Sequence, residues 1–527
     1  MQYVMLCWDR KDHRITIKTI ILVKVGPSII AEIRKQDLGS SSSESTMIRS
    51  AVGVILAVIL AVTVASYMTV SPPGAVYIDP LLYNVVGANY TKWRNSSAIG
   101  FNPTNTAPPF IQVFDRSFLD VTGPSATIRK IASNPDFAFA HEAPIYVEDL
   151  NLVFFASNAG GALGYSGWHN NSVVGMINMT EVDTGAGFYG WRLGRSAWSL
   201  MLNRHDFQLN LSDNVQMVNG GTGPYKGDLL FVTSGRALLP PSIVRVNPNP
   251  PYNTTVILDN FLGRQFNSLN DIKILPGTNI MFFTDPAYGW LNGFRPEPML
   301  PSQVYRFDPS TGQVRVVADQ FVHPNGIAFA PNGKTAFITD TGVLGGFLGT
   351  NQTFPATIYQ FDIDPTTQSF TNRRVFAYID SGAPDGIQLD TKGNVYSGCG
   401  DGINVWNGEG TLIGKFYLNS TTAELIFTKS GLVILEETAM TIVQLNPEGP
   451  AQCLVRALEW APFHPSVGRF EYFEYLPTEI REPNIGDICG QAEEVRNRIV
   501  PQLAVQMHTN SRASETLQVT YMFTIPY

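Results

Sequence analysis

Four cysteines in 527 residues (Cys7, Cys399, Cys453 and Cys489) are too few to staple a scaffold. Cys399 reads as a lone small core residue, and Cys453 and Cys489 as a pair that could join in the C-terminal tail. A basic excess is also missing. Lys and Arg number 36 against 44 Asp and Glu, giving a formal charge of −8, and no basic stripe appears. That argues against a nucleic-acid partner. The seven histidines are scattered, and no HxxxH or CxxC spacing occurs, so zinc is disfavoured. There is no G-x-S-x-G; GYSGW from Gly164 lacks the spacing of a nucleophile elbow. GCGDG from Gly398 opens no helix, so it is no dinucleotide loop but a turn needing positive φ. Long amphipathic helices are lacking too. What is abundant is 46 Gly, 35 Pro and 11% aromatics, the composition of many short strands joined by turns.

One long apolar run stands near the start. Ala51 to Val70 is uncharged and follows Arg49. It is long enough to span a bilayer, and it also reads as a signal peptide beginning at Met47. The 46 residues before it are polar and mixed: a leader from a mistaken start, or a cytoplasmic N-terminus ahead of a signal anchor. Both readings put the rest of the chain outside the cytosol. The first makes the protein secreted; the second makes it a type II membrane protein, membrane-bound only because the segment is uncleaved. Sequons at Asn89, Asn95, Asn170, Asn178, Asn210, Asn253, Asn351 and Asn419 fit either, as candidate glycosylation sites on surface loops.

The body of the chain repeats. GRQFNSLNDIKILPGTNIMFFTDPAY from Gly263 sets a grammar of polar lead-in, apolar strand, tight turn and return strand. It recurs as HPNGIAFAPNGKTAFITDTG from His323, as APDGIQLDTKGNVYSGCGDG from Ala383 and more weakly as AELIFTKSGLVILEET from Ala423. Looser copies begin at His141 (HEAPIYVEDLNLVFFASN) and Asn219 (NGGTGPYKGDLLFVTSG). The markers Glu142, Asn219, Asn270, Asn325, Asp385 and a position near Glu424 are spaced by 77, 51, 55, 60 and 39 residues. Such periods suit blades of four strands lengthened by loops. The expectation is an all-β protein, a six-bladed β-propeller over 111–447, behind a lead-in at 71–110 and ahead of an unassigned tail at 448–527.

A residue opening the innermost strand of a blade points at the central channel. Glu142, Asn270, Asn325 and Asp385 would converge there as two carboxylates and two amides. All are hard oxygen donors, a set suited to Ca²⁺ or another divalent cation. Against this, Asn-Gly and Asp-Gly are ordinary turn formers. His141, beside Glu142 in an extended segment, should point away from the axis, either supporting the residues that do face it or packing. Asp271 should likewise diverge from Asn270. Asp285 and Asp340, in FTD and ITD, read as hydrogen-bonding residues that close the return strands.

On these motifs the chain resembles the six-bladed propellers that include gluconolactonase, regucalcin and, more distantly, the paraoxonases. PPYNTTVILDNFLGRQFNSLND, GFRPEPMLPSQVYRFD and GCGDGINVWNGEGTLIGKFY closely resemble fungal lactonohydrolases acting on aldonate and pantoyl lactones. The resemblance covers roughly Ile111 to Leu445. It implies metal ligation by Glu142 and Asp385, with Asn270 and Asn325 as channel asparagines and Asn219 lining the substrate pocket. It also implies a lactone hydrolase in which Glu142, Asn270 and Asp385 carry the chemistry, and Asn219 and Asn270 meet substrate. The pattern departs from the family at Thr233-Ser234-Gly235-Arg236, where bacterial gluconolactonases have Cys-Glu-His-Gly, and at Ser268, where regucalcin has arginine. No histidine dyad of the paraoxonase kind is evident, so the general base is unassigned. Rival expectations are a strictosidine-synthase-like propeller and a non-catalytic sugar-binding propeller with structural calcium; homodimerisation is left open.

Overall fold

The structure is a computed structural model that describes residues 71–87, 93–94, 96–183 and 209–446, with the backbone of five strands nearer the ends. Those five strands belong to a separate unit, residues 1–70 and 468–527, in which Ser28–Lys35 pairs antiparallel with Val519–Met522. The apolar run Ala51 to Val70 and Cys453 and Cys489 lie outside the described residues. Among the described residues no helix is long and apolar enough to cross a membrane.

The second unit is a six-bladed β-propeller. Alternating apolar residues give each blade its strands, and the turns fall at the Gly, Pro and Asn positions the repeats mark. The innermost strands run in chain order around the channel: Glu142–Val147, Val218–Tyr225, Ile272–Ile274, Pro324–Phe329, Ile387–Leu389 and Glu424–Thr428. Each pairs antiparallel with its own return strand and packs against its neighbours in the ring. Blades 2, 3 and 4 are four-stranded meanders, while blade 1 shows three strands among the described residues. No described α-helix exceeds five residues. The core lies between blades. Phe266, Phe283 and Tyr305, all fully buried, pack with ring centroids 5.3–5.4 Å apart where blade 3 meets blade 2.

Strands from far upstream extend the four-stranded blade 5 and complete blade 6. Phe110–Val113 pairs with Leu412–Tyr417 in blade 5, and Thr127–Ser133 pairs with Ala439–Gln444 in blade 6. Part of the lead-in is therefore strand: Ala75–Tyr77 lies parallel to Phe110–Val113 at the edge of blade 5. The lead-in also covers a buried charge cluster. Lys415 Nζ donates to Asp380 Oδ1 at 2.8 Å and Asp401 Oδ2 at 3.0 Å. Arg94 reaches the other Asp380 oxygen at 3.0 Å, and the Phe101 amide reaches Asp401 at 3.3 Å. Cys399 is buried and unpaired in blade 5, as a core residue should be. Gly402, in GCGDG, takes φ +137°.

Candidate metal and catalytic site at the channel mouth

Each marker stands at the start of its innermost strand. Glu142 and Glu424 are the first residues of theirs, Asn219 and Asn325 the second, and Asn270 and Asp385 lie two residues ahead. Three of these strands slip register at the marker, between Glu142 and Ile145, Val218 and Gly220, and Pro324 and Ile327. A bulge bends the strand and re-aims its side chains. The glycines that follow are not there for turns. A Cβ at Gly220 would sit 2.3 Å from the Asn270 carbonyl oxygen, and one at Gly326 would sit 2.5 Å from that of Asp385. The next blade's marker passes so close that only glycine fits.

The return strands hold the markers in place. Thr284 Oγ1 accepts from the Asp271 amide and donates to Asn325 O at 2.7 Å in the next blade. Thr339 repeats this one blade on, accepting from the Gly326 amide and donating to Asp385 O at 2.8 Å. The adjoining Asp285 and Asp340 accept backbone N–H bonds from Asn267 and Ser268 and from Val322 and His323. Each Thr-Asp pair thus ties its blade to the loop before it and to the marker after it. Thr339→Val is expected to cost ~1–3 kcal/mol of stability, the price of a stranded buried carbonyl. It should also weaken cation binding at Asp385; calorimetric titration and urea unfolding together check this.

At the mouth Glu142, Asn270 and Glu424 are buried, and Asn325 bonds through its side chain to the Asp385 carboxylate. Asn219 Nδ2 donates to Asn270 O at 3.2 Å. Two oxygens, Asn270 Oδ1 and Asp385 Oδ1, are buried without any hydrogen-bond partner. Burial and then the field of Asp385, Glu424 and Asp271 push the Glu142 carboxyl well up. Burial likewise lifts Asp385 to about 7, and Glu424 to about 8. The opposing basic groups are Lys273, which bonds Asp271 at 3.0 Å, and His141. Five carboxylates (Glu142, Asp271, Asp385, Glu424, Glu437) stand near only two basic groups, so ionising the whole set calls for a further cation. Among the described residues no three His, Cys, Asp or Glu side chains form a metal cluster on their own. The fit to a divalent cation therefore depends on the amide oxygens: an unpartnered amide and an unpartnered carboxylate oxygen facing an acidic mouth are what a hard cation takes.

His141 departs from the expectation that it points away. Ala143 adopts φ +54°, and with the bulge this turns His141 and Glu142 to the same side. His141 Nδ1 lies 2.6 Å from Glu437 Oε1, and Nε2 lies 3.6 Å from Glu142 Oε1. Asn158 Nδ2 donates to the other Glu437 oxygen at 2.9 Å. Burial lowers the imidazole pKa, but Glu437 outweighs it and holds the ring above its ordinary value. Asp271 is buried and accepts from the Ile327 amide of the next blade at 2.9 Å, whereas Asn270 Oδ1 has no partner. Glu437, on the turn after the return strand of blade 6, carried no signal in the repeats; the position that matches Asp285 and Asp340 is its neighbour Glu436.

These features define a six-bladed propeller with an acidic, amide-lined channel mouth and a carboxylate–imidazole pair on its rim. Residues 204–434 match the SMP-30/Gluconolactonase/LRE-like region, a span holding Asn219, Asn270, Asn325, Asp385 and Glu424 but not Glu142. The chain is similar to lactonohydrolase oryL of Aspergillus oryzae, 27% identical over 352 residues, which cover 61% of this chain and 72% of that one. It is similar to a gluconolactonase of Zymomonas mobilis, 26% identical over 180 residues, covering 33% of this chain and 48% of that one. Among solved structures a gluconolactonase from Xanthomonas campestris aligns at 21% identity with a TM-score of 0.47, over 64% of this chain and 94% of that one.

Proposed function

We propose that this chain is a secreted, calcium-dependent lactone hydrolase that opens aldonate-type or related lactones to hydroxy acids. The observation that carries the reading is the pair of unpartnered oxygens, Asn270 Oδ1 and Asp385 Oδ1, inside an acidic channel mouth. The names of the lactonohydrolase and gluconolactonase relatives support the reaction class. Glu142, Asn325 and Asp385 would hold the ion, with Asn270 joining them or orienting substrate. When bound, Ca²⁺ supplies Lewis-acid polarisation of the lactone carbonyl.

The chain's own residues supply the proton chemistry. Glu437 fixes Nδ1 of His141 and leaves Nε2 facing the mouth beside Glu142. Nε2 is the atom placed to take a proton from water as the water oxygen adds to the carbonyl carbon. The ring C–O bond then breaks, and the departing alkoxide recovers that proton from His141, which gives the hydroxy acid. Asn219 and Asn270 line the approach and orient the ring.

A pH-stat trace over a panel of small lactones tests the whole. Acid release should stop on chelation and return with added Ca²⁺. Full activity after chelation would remove calcium from the mechanism, and silence on every lactone would favour a sugar-binding propeller. Asp385 sits at about 7 in the ion-free site, and Ca²⁺ needs it ionised. Apparent affinity should therefore tighten from about pH 6 to about pH 8, with protons released on binding. For secretion, the sequons at Asn170, Asn210, Asn253, Asn351 and Asn419 are exposed and Asn178 is half-buried, whereas Asn89 and Asn95 lie outside the described residues. N-terminal sequencing of protein recovered from the medium separates cleavage of the apolar segment from anchoring by it.

A further inference from the structure

The channel mouth is walled unevenly. The loops that follow the return strands lie on the same face as the site, and their lengths differ by blade. They span 157–173, 234–241, 286–302 and 341–356 in blades 1 to 4, but only 400–401 and 436–438 in blades 5 and 6. The long loops carry apolar side chains into solvent: Leu238 is 76% exposed, Phe347 61% and Leu348 67%. The short turns of blades 5 and 6 carry none; blade 6 places the half-buried Glu437 there, while Glu436 is buried and accepts from Ser420 Oγ at 2.6 Å.

The four long loops are tied to one another. Arg236 Nη1 donates to Trp168 O at 2.9 Å, joining the loops of blades 2 and 1. Arg295, buried, donates to Ala237 O at 2.7 Å and Leu239 O at 2.8 Å, joining blades 3 and 2. Trp290 meets Phe347 edge to face with centroids 4.9 Å apart, joining blades 3 and 4. The crescent also reaches the site. Trp290 shares the helix Tyr288–Leu291 with Tyr288, whose ring packs on His323 and lies in the field of Asp385 and Glu142. A fixed apolar surface thus runs from the reacting centre outwards over blades 2 to 4, across the mouth from the His141–Glu437 pair. Apolar surface that is held in place, rather than tucked in, stabilises whatever covers it by ~25 cal/mol per Å².

We propose that this crescent is a specificity surface for lactones with an apolar substituent, which lies over Leu238, Trp290, Phe347 and Leu348 while the ring sits among the channel polar groups. This rests on the lactone-hydrolase reading. Continuity with Tyr288 and the polar pair across the same mouth favour an amphiphilic small substrate over a second protein or a lipid surface, neither of which requires that pair.

The experiment takes γ-lactones of increasing alkyl length and a polyhydroxy aldonolactone, and measures kcat/KM by acid release. In parallel, calorimetry measures binding of the matching alkyl lactams, which are not hydrolysed. Each added methylene on the crescent should raise kcat/KM and lactam affinity by ~3–4-fold until the surface is covered. Phe347→Ser with Leu348→Ser should flatten this dependence and leave the shortest lactone unchanged; Val375→Ser, exposed on an outer strand of blade 4, should leave the whole series as it was. Equal kcat/KM along the series, or preference for the polyhydroxy lactone, overturns the proposal. So does an effect of the double variant confined to vesicle binding or self-association. Length-dependent lactam binding without turnover of any lactone would overturn the hydrolase reading and leave the apolar surface standing.

Discussion

Asp385→Ala is expected to lower lactone turnover by ~10²–10³-fold, the scale of losing one group that stabilises developing charge. It should abolish measurable Ca²⁺ binding in the same protein. Asp385 is the member of the site with most at stake. It is bonded to Asn325, carries an unpartnered oxygen, and has its main-chain carbonyl held by Thr339. Its removal takes a formal charge from the ligand set and leaves the Asn325 amide without its acceptor. The fold should survive, because the Thr339 bond is to the main chain. His141→Gln makes the informative contrast: it should lose ~10²–10⁴-fold in turnover while Ca²⁺ titration is little changed. Equal loss of binding in both variants would mean that His141 only supports the ligands. Normal hydrolysis by Asp385→Ala would sink the site assignment altogether.

Lys415→Ala is expected to destabilise the propeller by ~3–5 kcal/mol, the cost of leaving a buried charge without its partner. Lys415 is fully buried, and Asp401 beside it is nearly so. Burial alone pulls a lysine towards neutrality, yet Asp401 and Asp380 more than reverse this and raise its pKa. With the ammonium gone, Asp401 retains only the Phe101 amide. The urea midpoint should fall without a change of slope. Lys415→Met with Asp401→Leu should recover much of the loss, since replacing both members strands neither. A single-variant loss below ~1 kcal/mol would mean that water reaches the cluster despite the lead-in.

Much of this was legible in the repeats because a propeller restates its instructions. Lead-in, strand, turn and return strand recur at blade length, and they place Glu142, Asn219, Asn270, Asn325, Asp385 and Glu424 at the starts of six innermost strands. Asp285 and Asp340 act as the FTD and ITD motifs suggest. The failures at the site have one cause: alternation assumes a regular strand. Ala143 in the left-handed region breaks the alternation, so His141 turns inwards where extended geometry sends it out. The same assumption hid the purpose of the Asn-Gly and Asp-Gly pairs, whose glycines answer to the neighbouring blade. The upstream strands that extend blade 5 and complete blade 6 were invisible for another reason. Their partners are some three hundred residues away, and no local pattern encodes such a pairing.

That distant pairing also sets an order of events. Thr127 and Gln444, side by side in the finished sheet, are 317 positions apart. As the chain emerges from the ribosome, Thr127–Ser133 is among the first propeller strands made, yet it has no edge to join until blade 6 exists. Blades 2, 3 and 4, each a local meander, can form as they appear, while the ring stays open. Closure through Thr127–Ser133 has to await blade 6, and pairing over so long a loop is slow. Until then the upstream strands and the unfinished edge of blade 6 are exposed together, so the newly made protein is most open to mispairing just before the channel mouth comes into being.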